Sequence, residues 1–296
     1  MELSIGIATC GRKDLLHRVL RDLSRQSDFP DRILIAPIDV ENDVGALELP
    51  QDIQELVSVV EGPKGLTAQR NTILKELEKC SGIVLFLDDD FLLHKDYCKE
   101  LRQIYLQNPD IVGCAGKVIA DGINSPGIEF DDALSLVKKY EDLGAETLVD
   151  NGTTYGCNMS FRLETVNKTG TRFDEALPLY GWFEDLDFSA QIARYGRVIN
   201  ANRCVGVHMG HKMGRTSGRR LGYSQVVNPF YMWKKGTMPL SETVTNVTRR
   251  LVANLIRSVR PEYWVDRRGR VLGNIMGLFD ILLGKEDPRR ILEIRS

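Results

Sequence analysis

Five apolar residues, Ile83-Val84-Leu85-Phe86-Leu87, run straight into three carboxylates, Asp88-Asp89-Asp90. An apolar run with no polar interruption reads as a strand buried on both faces. Three unpaired charges cannot remain in such an interior, because burying them is strongly unfavourable. The strand must therefore open at its carboxyl end into a site. Alternation along extended chain puts Asp88 and Asp90 on one side and Asp89 on the other. Hard carboxylate oxygens suit Mg2+ or Mn2+, ions that commonly accompany a diphosphate. Taken alone, the triplet reads equally well as a solvated acidic turn.

The elements around this strand point to an α/β fold. Residues 3–8 form an apolar strand, followed by a turn at Thr9-Cys10-Gly11-Arg12 and a helix over 13–26 with Leu15, Leu16, Val19, Leu20 and Leu23 on one face. Strands are expected at 32–36 and 57–60, and a helix at 66–80. Strand and helix alternating at this pace imply a mostly parallel sheet flanked by helices, which binds ligands at the carboxyl ends of its strands. Thr9 to Arg12, Asp39 and Asp88 to Asp90 all fall at such ends. The second half is less regular. Strands are expected at 111–116, 156–162, 197–199 and 204–207, and helices at 184–195, 241–259 and 271–283. Residues 120–150 read as an acidic surface loop with a helix.

With 296 residues, 43% hydrophobic and 27% charged, the chain can bury one large domain with an appendage, or two domains. No apolar run reaches the ~18 residues of a membrane span. The N-terminus enters a strand at once, without the pattern of a signal peptide, so a cytoplasmic location is expected. Six scattered cysteines lack paired spacing and read as reduced thiols. The net charge of −2 hides an asymmetry. Residues 1–211 carry 22 Lys/Arg against 34 Asp/Glu, whereas residues 212–270 carry 13 against 3. A basic C-terminal part on an acidic body suggests an anionic partner such as phosphate, a diphospholipid or a membrane surface. The plainer reading is a solvated basic helix pair.

A second acidic group, Glu184-Asp185-Leu186-Asp187, opens a helix after Gly181 and Trp182. Carboxylates there gain from the helix dipole, which is reason enough for an isolated pair. The functional reading is that one of them stays ionised and accepts a proton from an attacking hydroxyl. Trp182 suits either stacking on a sugar ring or packing in the core. His208 ends the last sheet-like strand and could complete a metal site begun by Asp90, although His208-Met209-Gly210-His211 matches no strict metal signature.

Together these residues resemble glycosyltransferase family 2, inverting nucleotide-sugar-dependent enzymes with the GT-A fold. The resemblance covers roughly residues 3–211. It rests on residues 4–12, Gly65-Leu66-Thr67-Ala68-Gln69-Arg70-Asn71, Phe86-Leu87-Asp88-Asp89-Asp90, residues 156–162, Phe173-Asp174-Glu175 and Glu184-Asp185. It implies a GT-A domain over residues 1–211 and a basic helical extension over 212–296 that docks an acceptor or membrane or makes a dimer contact. Thr9, Arg12, Asp39, Arg70, Asp88 and Asp89 would hold the donor nucleotide. Asp90 and His208 would ligate Mn2+ or Mg2+, with His211 as the alternative histidine. Asp185 would be the general base, assisted by Glu184, and Trp182 and Asn158 would meet the acceptor. Lys212, Arg215, Arg219 or Arg220 could add positive charge beside the departing diphosphate.

Two departures stand out. The family's usual Pro-Thr-Tyr-Asn-Arg is here Ala8-Thr9-Cys10-Gly11-Arg12, so an aromatic ring beside the base is missing. The usual Asp-Asp-Gly-Ser after the second strand is absent, and Asp39 stands in for it. The tail resembles bacterial members that build surface polysaccharides. The resemblance then implies a nucleotide-sugar donor, most often a UDP sugar, and a glycan or lipid-diphosphate-linked acceptor. Peripheral attachment to the inner face of the inner membrane and a homodimer are also expected, and no nucleic-acid partner. Residues Val244, Val247, Leu251, Leu255 and Val259 make a helical stripe beside Arg249, Arg250 and Arg257, as a basic amphipathic helix on a membrane would. The apolar helix at 271–283 suits the core, an interface or a dimer contact, and core packing is the expectation for that helix alone. The competing readings are a nucleotidyltransferase, for which the first loop is too short and glycine-poor, and a catalytically silent sugar-nucleotide binding partner.

Overall fold

The computed structural model describes residues 1–212 and 216–295; Arg215 lies outside them. Nine strands form one sheet: β1 (Leu3–Thr9), β2 (Arg32–Pro37), β3 (Val57–Val59), β4 (Ile83–Asp88), β5 (Phe91–Leu93), β6 (Ile111–Asp121), β7 (Leu148–Asp150), β8 (Asn158–Arg162) and β9 (Arg197–His208). The helices are α1 (Lys13–Asp22), α2 (Val40–Asp43), α3 (Gln51–Gln54), α4 (Leu66–Glu76), α5 (Tyr97–Gln107), α6 (Phe130–Lys139), α7 (Leu163–Thr169), α8 (Glu184–Ile192), α9 (Gly218–Lys235), α10 (Leu240–Ser258) and α11 (Arg267–Leu282).

The strands run in the order β3-β2-β1-β4-β8-β6-β9-β5, with β7 paired to β9 off this path. From β3 to β4 the pairings are parallel, and β6 and β9 are parallel as well. Strand β8 enters antiparallel between β4 and β6, and β5 and β7 lie antiparallel on β9. The α/β class with flanking helices is as the sequence implies, and the sheet is mixed. The half built by strand-helix alternation is the parallel half, because crossover helices force parallel pairing. The run 83–87 is fully buried in the middle of the sheet, as its composition demands.

The chain forms two compact units. The first comprises Met1–Lys64, Gln69–Arg172 and Gln191–Gly214, and holds every strand. Its main core joins β1, β2 and β4 to α1 and α5 through Ile5, Ile7, Leu16, Leu20, Leu85, Leu101 and Ile104. The second comprises Gly65–Ala68, Phe173–Ala190 and Arg215–Ser296. It is mostly helix. The acids Asp174 and Asp187 both accept from Lys235 at the end of α9, at 2.6 and 2.7 Å, and Thr237 donates to Asp187 at 2.6 Å. Asp187 is fully buried there.

Besides β5, β7 and α5, which the sequence expectation leaves out, three differences bear on the argument. The short strands expected at 197–199 and 204–207 are one strand, β9, whose pairing with β6 shifts register between Gly116 and Lys117. A bulge of this kind interrupts the apolar pattern without ending the strand. Arg219 and Arg220 belong to helix α9, an element absent from the sequence expectation. Helix α9 escapes notice because it contains Gly218, Gly222 and Pro229, all poor helix formers. The third concerns α11, expected in the core. Its buried residues are Gly273, Asn274 and Gly277, while Leu272, Ile275, Met276, Phe279, Leu282 and Leu283 are exposed.

Helices α9 and α11 come together backbone to backbone. A Cβ on Gly222 would lie 2.1 Å from the Arg270 carbonyl oxygen, and one on Gly273 would lie 1.9 Å from that of Arg219. Gly273→Val is therefore expected to push the two helices apart and to cost about 1–3 kcal/mol. Thermal unfolding followed by circular dichroism reads this, and an unchanged melting temperature would rule out the close packing.

Candidate active site

Three strands end at one place in the first unit. Strand β4 ends at Asp88, β6 at Asp121 and β9 at His208. The register fixes their neighbours: Ala8 lies opposite Asp88, and His208 lies opposite both Phe91 and Asp121. The Met209 amide donates to the Asp90 carbonyl at 2.9 Å, tying the turn after β4 to the end of β9.

Side chains meet there as alternation requires. Asp88 and Asp90 face His208, whose Nε2 lies 3.8 Å from Asp88 Oδ2 and 3.4 Å from Asp90 Oδ1. Asp89 turns the other way. Its two oxygens accept from Thr9 Oγ1 and Arg12 Nη1, each at 2.6 Å. Arg12 also lies 3.3 Å from Asp90 Oδ2. Thr9 and Arg12 are thus bound to the acidic turn itself. On the far side, buried Arg70 reaches Asp88 Oδ1 at 3.2 Å and the Gly156 carbonyl at 2.8 Å.

Asp121 carries no motif, and sequence reasoning passed over it. Its Oδ1 lies 2.9 Å from His208 Nδ1 and its Oδ2 accepts from Tyr155 at 2.8 Å. A carboxylate at Nδ1 makes that nitrogen the donor and turns the other, Nε2, towards Asp88 and Asp90. The only sequence signal was an acid at the end of a largely apolar strand, the same signal that marked Asp88. His211 adds its backbone amide, which donates to Asp90 Oδ2 at 2.7 Å.

Asp88, Asp90 and His208 each offer one atom within 4.8 Å of the others, and among the described residues this is the cluster that could hold a metal ion. Two observations fit a hard divalent cation of the Mn2+ or Mg2+ kind. Asp90 Oδ1 is buried and makes no hydrogen bond among the described residues. In addition, the carboxylates of Asp88, Asp89, Asp90 and Asp121 outnumber the guanidiniums of Arg12 and Arg70, leaving negative charge to be balanced. Burial pulls the His208 pKa down, but Asp121, Asp90 and Asp88 outweigh it and raise the value to about 10. Asp90 is held below the usual carboxylate range, against its burial, by His208, Arg12 and the His211 amide. Asp89 is pushed up to about 7 by burial and by its acidic neighbours, against Arg12 and Thr9.

Further residues shape the same strand ends. Gln69 donates to the carbonyls of Thr9 and Ala36 at 3.0 and 2.6 Å, bridging β1 and β2. Asp39 is exposed and caps α2 through Asn42. Buried Asp43 is the acid that organises this corner, accepting from the amides of Gly11, Ile38 and Asp39. Asn158 is fully buried beside Leu87 of β4, and its Nδ2 has no hydrogen-bond partner among the described residues. Lys212 donates to the carbonyls of Gly122 and Ile123.

Trp182, Glu184 and Asp185 belong to the second unit. Phe183 has φ +71° and Leu179 has φ +60°, so left-handed backbone brackets Trp182. Non-glycine residues reach this region at a cost of about 1–3 kcal/mol, and it concentrates at functional segments. Asn228 holds the Trp182 carbonyl at 2.9 Å, and the Arg250 guanidinium lies 5.1 Å from the centre of its ring. Glu184 is buried, and Asp185 Oδ1 accepts from the Leu186 amide at the start of α8.

A family model described as "Glycosyl transferase family 2" matches residues 4–168, more than half of the chain. A comparison with curated proteins gave no match. Among solved structures, the mannosyltransferase PcManGT from Pyrobaculum calidifontis, in complex with GDP-Man and Mn2+, aligns over 98% of this chain and 85% of its own, with a TM-score of 0.54 and 14% identity. GalNAc-T7 with UDP, GalNAc and Mn2+ aligns over 99% of this chain and 56% of its own, with a TM-score of 0.54 and 13% identity. At these identities the likeness is one of fold.

Two outcomes are expected of the cluster. Asp121→Asn removes the charge that orients His208 while leaving all three ligand groups. Mn2+ affinity, read by titration calorimetry, should fall ~10–100-fold; an unchanged affinity would show that Asp121 plays no part. The second outcome concerns pH without metal. The folded-state His208 pKa of about 10 lies above its ordinary 6.5. Its contribution to stability is therefore fully present below pH 6.5 and is lost as pH rises towards 10. In EDTA, the gap in melting temperature between the native protein and His208→Gln should narrow across that window. A gap that widens with pH would contradict the assignment.

Proposed function

The chain belongs to glycosyl transferase family 2 and is a glycosyltransferase, and on that premise we propose that it moves a sugar from a nucleotide diphosphate donor to an acceptor hydroxyl with inversion. The observation that carries this reading is the grouping of Asp88, Asp90 and His208 at the strand ends, with His208 oriented by Asp121. Both solved structures of similar fold hold a nucleotide or nucleotide sugar together with Mn2+. Asp90 and His208, with Asp88 beside them, are the proposed ligands here. A bound Mn2+ or Mg2+ would offset the charge that grows on a departing nucleotide diphosphate.

The remaining roles fall to the chain's own groups. Arg12 and Arg70 pair with the acidic turn and hold it in place. Thr9, Arg12, Asp39, Arg70, Asp88 and Asp89 are the proposed donor-side residues, and of these Asp88 and Asp39 carry the most exposed carboxylates. Asp185 is the proposed general base. Its place at the first turn of a helix favours the ionised form that proton acceptance requires. Glu184 supports it, and Trp182 and Asn158 are the proposed acceptor contacts. We take UDP as the nucleotide and a lipid-diphosphate-linked glycan of bacterial surface polysaccharide as the acceptor, extending the resemblance in the tail. Residues 1–211 are proposed as the catalytic domain and 212–296 as the acceptor-docking extension.

Thermal unfolding with a panel of nucleoside diphosphates, with and without Mn2+, tests the donor site. Because a ligand that binds only the native state raises the melting temperature, one diphosphate should stabilise the protein in a metal-dependent way. Asp90→Ala should abolish that shift. If no diphosphate stabilises the protein, a silent partner becomes the better reading. Asp185→Asn should retain the shift and lose at least ~100-fold in transfer rate. Full turnover by that variant would remove Asp185 from the base role.

A further inference from the structure

Helices α10 and α11 are folded inside out. The two buried residues of α10 are Thr243 and Asn254, and those of α11 are Gly273, Asn274 and Gly277. Asn254 donates to Gln225 Oε1 at 2.9 Å and to Asn274 Oδ1 at 3.0 Å, and Asn274 donates to the Gly222 carbonyl at 2.7 Å. The centre of this helical packing is thus amide to amide, with glycines allowing backbones to touch. Val247, Leu251, Val271 and Ile281 are half-buried, and most of the other large apolar side chains point the other way. On α10, Val244, Val252 and Leu255 are exposed, and Val259 at its C-terminal end is 83% exposed. On α11, Ile275, Phe279 and Leu282 are exposed, the last at 80%.

A helix in water buries its apolar stripe and wets its polar one. Small residues and amide pairs inside with apolar residues outside is how helices pack when the surroundings are themselves apolar. An exposed apolar surface shared by two neighbouring helices calls for such surroundings. We infer that this hairpin lies in the interface of an anionic lipid bilayer, its apolar face among the acyl chains.

Charge and length choose the occupant. The turn between the helices and their adjoining ends carry Arg257, Arg260 and Arg268 towards solvent; Arg267 turns inward to Asn254 and Glu262, and Glu262 also pairs with Arg257. Even with Glu262 and Asp266 counted the rim is net positive, and residues 212–270 hold 13 Lys/Arg against 3 Asp/Glu. Anionic headgroups complement such a net positive rim. Tyr263, 86% exposed, packs edge to face on Trp264 in the same turn, and aromatic rings of this kind favour the headgroup level. Among the described residues no helix is long and apolar enough to cross a membrane. The hairpin therefore lies along the surface instead of spanning it. This attachment stands on the helices alone and goes beyond the donor chemistry proposed above.

Flotation of the full chain with phosphatidylcholine vesicles, with and without phosphatidylglycerol, tests it. The protein should float with the anionic vesicles at low salt. The pair Phe279→Asp and Leu282→Asp should cut binding ~10-fold or more. Both positions are exposed, so circular dichroism and the nucleotide-induced thermal shift should be unchanged. Arg257→Gln with Arg268→Gln should weaken binding to anionic vesicles while the apolar face is intact. Hydrogen exchange over 272–283 should slow when vesicles are added. Failure to float with either vesicle, with the nucleotide shift intact, would overturn the membrane assignment alone. A stable dimer in solution that the Phe279 and Leu282 pair splits, with no vesicle binding, would overturn it in favour of a second copy. Flotation without any nucleotide shift would strike the donor site and leave the membrane assignment standing.

Discussion

The imidazole of His208 is the constraint on which the acidic centre depends. It sits at the end of β9, between Asp121 at the end of β6 and the carboxylates that follow β4. Each of those strands ends in a titratable side chain. Brought to one level, their charges become partners. The middle strand β8 runs antiparallel and so returns Asn158 to the same level beside Leu87. A mixed sheet is the topology that lets two parallel segments present their carboxyl ends together.

Much of this was legible in the sequence, for reasons that can be stated. The period of two along a strand separated Asp89 from Asp88 and Asp90, and the structure divides them in that way: Asp89 to Thr9 and Arg12, the others to His208. The buried run at 83–87 and the alternation of elements identified the parallel half. Asp121 was not legible, because one acid at a strand end has no spacing to mark it. Asp43 was hidden for a different reason. Asp39 holds the expected position after β2, but the hydrogen bonds that gather the loop go to the residue one helical turn later.

The C-terminal helices show a limit of pattern reading. Periodicity in α10 and α11 reveals that each has an apolar side and a polar side. It does not say which side is inside. The usual rule assigns the apolar side to the core, and that rule fails here because Asn254, Asn274 and Gln225 satisfy one another in the middle. Helix α9, whose Gly222 supplies the carbonyl that completes the set, was obscured by the very glycines and proline that permit the close approach.

Asp89 has a mechanical consequence. One carboxylate grips the end of β1 through Thr9 and the loop beyond it through Arg12, while its own backbone is the turn after β4. Two segments 80 residues apart in the chain are thereby coupled as levers on one pivot. Any force that displaces the loop at Gly11 and Arg12 is transmitted to the neighbouring Asp88 and Asp90 without crossing the sheet.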